Sequence, residues 1–139
     1  ALAEMLNGQY LGAVAYMKFN GRRFLVQHGQ SSAFIYREQR MGRTGLFIKW
    51  AEALNKIPKI DAVVQGHWHQ FIHIHANKQH LIQLPCWQLF TPTRYALREF
   101  GKFQPDIGAV IIFVDEKARI RVWHYLYDPP KTEVREIEA

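Results

Sequence analysis

Apolar residues along this chain fall into short runs separated by turn-forming residues, and the period within each run indicates the element it forms. Leu11 to Phe19 is apolar with partial alternation, Asn20-Gly21 follows, and Phe24 to Gln27 is apolar again. Asn-Gly supplies two residues that accept positive φ, which a tight turn between twisted strands requires, so the stretch predicts a β-hairpin. Its second strand delivers His28-Gly29. A second hairpin is predicted from Phe71 to His75 and His80 to Leu84 around Asn77-Lys78, and two long strands from Asp106 to Val114 and Arg119 to Tyr127 around Glu116-Lys117. Between the first two hairpins the period lengthens. Leu46, Phe47, Trp50, Ala51 and Leu54 recur at helical spacing, which predicts an amphipathic helix over Thr44 to Asn55 with Thr44 as N-cap and Pro58 as stop. Ile60 to Gln65 then reads as a short buried strand ending in Gly66-His67-Trp68-His69.

Gln30 to Thr44 has no clear period and gathers Gly, Ser and Arg, so it is expected to be a surface loop near the site, and Pro85 to Phe103 reads as irregular with a helical turn around Tyr95 to Phe100. Leu2 to Leu6 reads as the end of a helix capped by Asn7-Gly8, which suggests a longer chain upstream of Ala1. After Asp128-Pro129-Pro130 the charged tail, 129–139, is expected to be loosely held. One main helix among some seven strands implies an α/β or α+β protein, mainly β-hairpins, with a mainly antiparallel sheet and no interdomain linker.

Composition narrows the class. A length of 139 residues suits a single domain or part of one. An apolar share of 48% and a charged share of 22% exclude disordered and fibrous classes. The longest apolar run, Ile107 to Val114, is too short to cross a bilayer and no leader opens the chain, so a cytoplasmic location is expected. The single cysteine, Cys86, can make no internal disulfide, which fits a reducing compartment. The net charge of +6 favours anionic partners, phosphate or nucleic acid. Arg37, Arg40 and Arg43 cluster modestly, but no aromatic-interleaved basic stripe accompanies them, so nucleic acid is not specifically indicated.

The residues that point to chemistry are histidines. Gly66-His67-Trp68-His69 puts two imidazoles at the end of a buried strand, where open α/β sheets hold their ligands. Gly66 removes a side chain where backbone and ions would approach closely. With seven histidines in the chain, a lone His-x-His is a weak signal. A third histidine strengthens it: His28 also ends a short apolar strand and also adjoins a glycine. Imidazole suits borderline divalent metals, so His28, His67 and His69 are the candidate metal ligands. His73, His75, His80 and His124 read as ordinary polar residues of strands.

Strand-His-Gly over Phe24 to Gly29, then a helix, then strand-Gly-His-x-His over Ala62 to His69, resembles the last two metal motifs of the calcineurin-like metallophosphoesterases, in family order. Leu84-Pro85-Cys86-Trp87 falls where that family returns a strand to a loop beside the site, with Cys86-Trp87 in place of the usual Gly-Ser type residues. The resemblance implies the C-terminal half of a two-sheet sandwich. It implies that His28 and His67 ligate one metal and His69 another, two divalent transition ions (Mn, Fe or Zn) in the intact protein, and hydrolysis of a phosphate ester by two-metal activation of water. The family's aspartate ligands, asparagine ligand and catalytic histidine belong to three earlier motifs that this sequence does not contain, so the catalytic residues are unassigned. The chain is expected to be inactive alone and to need the missing N-terminal segment. Half of a sandwich would also expose apolar surface and self-associate.

Three functions are therefore open: part of a phosphomonoesterase, phosphodiesterase or nuclease; a non-catalytic binding or interaction domain that kept the fold; and a mononuclear metal-binding protein using the three histidines.

Overall fold

A computed structural model describes residues 12–29, 37–88 and 105–128. The expected helix end at Leu2 to Leu6, the helical turn around Tyr95 and the tail lie outside these residues.

Each predicted hairpin forms. β1 (Val14–Phe19) and β2 (Arg22–Gln27) pair antiparallel across Asn20 (φ 43°) and Gly21 (φ 77°). β4 (Ile72–Ala76) and β5 (Gln79–Gln83) pair across Asn77 (φ 51°) and Lys78 (φ 59°). Two consecutive positive φ angles are the signature of the tight hairpin turn. β6 (Ile107–Val114) and β7 (Ile120–Tyr127) form a third antiparallel ribbon. β3 (Ala62–Gln65) lies alone in sequence, and every one of its four residues is buried.

The hairpins are joined in a way that turn signals do not carry. The larger sheet has the order β1-β2-β3-β5-β4, and its centre is parallel: β2 pairs with β3, and β3 with β5, in parallel register. The antiparallel pairings expected from the hairpins are present, but they lie at the sheet's two margins and in the separate β6–β7 ribbon. A strand buried on both faces suits a parallel centre, and Ala-Val-Val of β3 reads that way.

Helix α1 spans Arg37–Ala53, so it starts seven residues before the expected Thr44, and the loop expected up to Thr44 is helical from Arg37 on. Arg40 and Arg43 are thus helical residues. The stretch from Arg37 to Met41 is made of good helix formers, and Gly42 and Gly45 masked it. The helix also turns a different face to the sheet than its spacing suggested. Met41, Gly45 and Ile48 are buried, whereas Leu46, Phe47 and Trp50 are 67%, 64% and 61% exposed. Both stripes are apolar, so the periodicity could not choose between them. Gly45 decides it: a Cβ there would lie 2.7 Å from Leu81 Cδ1, so the glycine lets the helix approach β5 closely.

Two cores result. Leu25, Val63 and Leu81 on one face of the sheet pack with Ile60 and with Met41 and Ile48 of α1. Phe24, Ala62, Val64 and Ile82 on the other face pack against Val110, Ile112, Val114, Ile120 and Val122 of the β6–β7 ribbon. Each fully buried aliphatic side chain contributes about 1.5–3 kcal/mol. The described residues thus form an α/β sandwich of two sheets with one helix outside the larger. Buried Asp61 ties the layers together. It accepts from Arg22 Nη1 (3.0 Å) and Arg23 N (2.9 Å), while Arg22 Nε donates to Ala118 O in the β6–β7 turn. At the helix C-terminus, Glu52 accepts from Ile60 N at 2.7 Å and pins α1 to the start of β3. No helix among the described residues is long and apolar enough to cross a membrane.

The two helix glycines give a test. At Gly42 a Cβ meets nothing within 4 Å, so Gly42→Ala should stabilise by about 0.5–1 kcal/mol through helix propensity. Gly45→Ala gains the same propensity but forces Leu81, and overpacking costs about 1–3 kcal/mol. Urea unfolding should show Gly42→Ala above wild type and Gly45→Ala below it.

Candidate metal centre

Parallel pairing of β2 with β3 sets the site. Gln27 lies opposite Gln65, and Gly66 N donates to Gln27 O at 3.3 Å, so the residues that follow both strands emerge side by side at one edge. Those residues are His28 and Gly66-His67. His28 Nε2 lies 3.2 Å from His67 Nδ1, with ring centroids 5.1 Å apart and planes at 78°. Trp68 flanks them, its ring 5.3 Å from that of His67.

Beneath the imidazoles runs a ladder of amides. Gln27 Nε2 donates to Gln65 Oε1 at 3.1 Å, Gln65 Nε2 to Gln83 Oε1 at 3.0 Å, and Gln83 Nε2 to Gly66 O at 2.5 Å. Gln65 and Gln83 are buried, where an unpaired amide would cost about 1–3 kcal/mol, so each rung fixes the next. The last rung grips the carbonyl of the residue before His67. Glutamine at equal depth in three strands was legible only once their register was known.

The turn itself is strained. His67 has φ 83° and His69 φ 55°, left-handed conformations uncommon for residues other than glycine. Asp106 holds the turn's far side: its N–H donates to His69 O at 2.8 Å, and its carboxylate accepts from Phe71 N at 2.7 Å. Cys86 N in turn donates to Asp106 O at 2.9 Å, which seats the Leu84 to Cys86 return beside the site. Asp106 is thus a positioning residue that sequence reasoning passed over. Its signal was faint, a carboxylate at the start of a long strand.

His69 stays close enough to sense both other imidazoles. Its pKa is lowered, first by burial and then by the charges of His67 and His28. That keeps it neutral, the form in which imidazole binds metal. The close approach expected at Gly66 falls instead at Gly29. A Cβ at Gly66 would make ordinary contacts, 3.6 Å to His28 O. Gly29, at φ +86°, would put a Cβ 3.2 Å from Gly66 O.

A tetrahedral ion with metal–nitrogen bonds of about 2.0–2.1 Å sets its two nitrogens about 3.3 Å apart, so the 3.2 Å pair of His28 and His67 fits two ligands of one ion. Among the described residues no group of three or more His, Cys, Asp or Glu side chains is arranged to hold a metal ion. Asp61 lies just before the opposite end of β3, paired with Arg22, and Asp106 uses its carboxylate on Phe71.

No family model matches the sequence, and no curated protein matches it. Its fold, however, is that of the calcineurin-like metallophosphoesterases. The chain is similar to wild-type Vps29 from Entamoeba histolytica, solved in complex with Zn2+, with TM-score 0.50 and 10% identity over 87% of this chain. Single and double mutants of the same Vps29 align with TM-score 0.50 at 8% and 7% identity over 86% of the chain. The chain spans 65% of the first of these structures and 64% of the other two.

Gly29→Ala should cost about 1–2 kcal/mol from the left-handed backbone alone, whereas Gly66→Ala should stay within about 0.5 kcal/mol of wild type. Denaturant melts, read beside the imidazole NMR signals of His28 and His67, would check this. Only Gly29→Ala is expected to move both.

Proposed function

We propose that this chain is the histidine-bearing part of a metal-dependent phosphoester hydrolase, a phosphomonoesterase, phosphodiesterase or nuclease. The observation that carries the reading is the 3.2 Å approach of His28 Nε2 to His67 Nδ1 at the ends of adjacent parallel strands. In this reading His28 and His67 hold one ion and His69 faces a second, with the ions being Mn, Fe or Zn. Such ions supply a water activated near neutral pH and neutralise charge on the phosphoryl oxygens. The chain's own residues bind and orient: the amide ladder and Asp106 fix the two strand ends, and Trp68 walls one side of the imidazole pair. Carboxylate ligands would come from an N-terminal segment. Support for such a partner is the apolar surface left bare, with Leu46, Phe47 and Trp50 on α1 and Ile111, Phe113, Trp123 and Tyr125 on the outer face of β6–β7. A cleft of about 570 Å3 lined by Met17, Phe19, Phe24, Val26, Val64 and Ile112 also opens between the sheets.

A second reading, a non-catalytic interaction domain on the same fold, is favoured by the lack of any three-donor group among the described residues. One experiment separates them. Upstream coding sequence bearing Asp-x-His, Gly-Asp and Gly-Asn-His motifs is co-expressed with the chain, and Mn2+-dependent hydrolysis of p-nitrophenyl phosphate and its bis-ester is assayed. The hydrolase reading expects activity in the joined protein that falls at least about 100-fold in His67→Ala, since even residues behind metal ligands cost 10–100-fold. Joined, folded protein without hydrolysis would leave the interaction domain standing, whereas full activity in His67→Ala would remove His67 from the metal site.

A further inference from the structure

A second gathering of imidazoles lies away from the His28–His67 pair. In the β4–β5 hairpin His75 stands directly opposite His80, and His73 lies two residues along β4 on the same face. That face packs toward the β6–β7 ribbon, because His73 is in register with Ile82 of the inter-sheet core. His75 and His80 stack at 4.1 Å with planes 9° apart. His73 Nε2 lies 3.0 Å from His80 Nδ1, a hydrogen bond from ring to ring. One of those nitrogens must donate and the other accept, so at least one of the two rings is neutral.

The charges around the rings are of one sign. Arg22 of β2 acts on His80, and His124 of β7, stacked on Phe71 at 4.4 Å, acts on His73. No carboxylate acts on either. Asp61, whose carbonyl accepts from the His80 amide at 2.9 Å, has its carboxylate on Arg22 Nη1 at 3.0 Å and on Arg23 N at 2.9 Å. A proton added to the stack therefore finds no anion to compensate it.

From this juxtaposition we propose that His73, His75 and His80 form an acid-sensitive latch, which holds β4 on the sheet near neutral pH and loosens it once more than one ring is protonated. The strand is placed to respond, since β4 is the marginal strand of its sheet and pairs only with β5. Doubly protonated, His73 and His80 carry N–H on every ring nitrogen, so their contact loses its acceptor and becomes repulsive. A second charge on His75 repels His80 across the stack in the same way. Burial, and then the charges of His75, His73 and Arg22, lower His80 from 6.5 to about 4. His73 is lowered too, by burial and then by His75 and His124. A released or unfolded hairpin takes up protons at the ordinary value. The latch is thus at full strength above 6.5 and weakens as the pH falls from there toward about 4. It is independent of the hydrolase reading, because it uses none of His28, His67 or His69.

Amide hydrogen exchange of the full chain, corrected for the intrinsic chemical rate, tests it between about pH 7.5 and about pH 5, where imidazole changes charge. Protection of the β4 amides, taken relative to those of β6–β7, should fall at least about tenfold, the equivalent of one pK unit. His80→Gln can donate or accept toward His73 and takes up no proton, so its β4 protection should change less than about twofold. His75→Phe, at an exposed position, keeps a ring on the stack without a charge and should show a smaller fall than wild type. A melt at neutral pH checks that His80→Gln folds, and if it does not, His75→Phe decides alone. The proposal is overturned if wild-type β4 protection holds across this range, or if the fall is as large in His75→Phe and in folded His80→Gln. The ring contacts would then be packing that acid does not reach.

Discussion

Parallel hydrogen bonding across β2, β3 and β5 is the constraint on which the rest of the molecule depends. It brings the ends of three strands to one edge at one level, Gln27 beside Gln65 beside Gln83. Because the register is shared, the amides can link in a chain and the two histidine turns that follow β2 and β3 meet. A slip of one residue would reverse every side chain of a strand, putting Gln65 in the inter-sheet core and Val64 under the helix. The two faces of the sheet, each with its own apolar cluster, oppose that slip.

The layers carry this constraint outward. Gly45 lets α1 sit close on β5, Glu52 pins its end to Ile60, and Arg22 with Asp61 links the sheet to the ribbon turn. These layers leave some of the apolar surface uncovered. The outer faces of α1 and of β6–β7 are apolar and exposed, on opposite sides of the sandwich.

At the candidate centre, rigidity is supplied from below and strain is held at the turn. His67 and His69 adopt positive φ, a conformation that persists where the surroundings over-determine it. Here the surroundings are identifiable: Gln83 on the carbonyl of Gly66, Asp106 on the carbonyl of His69 and the amide of Phe71, and Gly29 leaving room for the Gly66 carbonyl. The outer hairpin shows the same economy of register. Two residues of spacing on β4 and one cross-strand partner on β5 suffice to assemble three imidazoles.

The sequence by itself determined the local elements and the identity of the imidazoles at the strand ends. Asn-Gly and Asn-Lys turns, the strand-ending His28-Gly29 and Gly66-His67-Trp68-His69 are short-range features, and short-range sterics write them directly into residue order. Tertiary structure alone decided which apolar stripe of α1 faces the sheet, since Met41, Gly45 and Ile48 form one stripe, Leu46, Phe47 and Trp50 form another, and the fit of Gly45 on Leu81 selects the first. It alone decided that the central strands run parallel. It also decided that Gln27, Gln65 and Gln83 form a ladder, that Asp106 braces the turn, and that His73, His75 and His80 converge. Each of these depends on residues far apart in sequence coming into register, and no local pattern carries that distance.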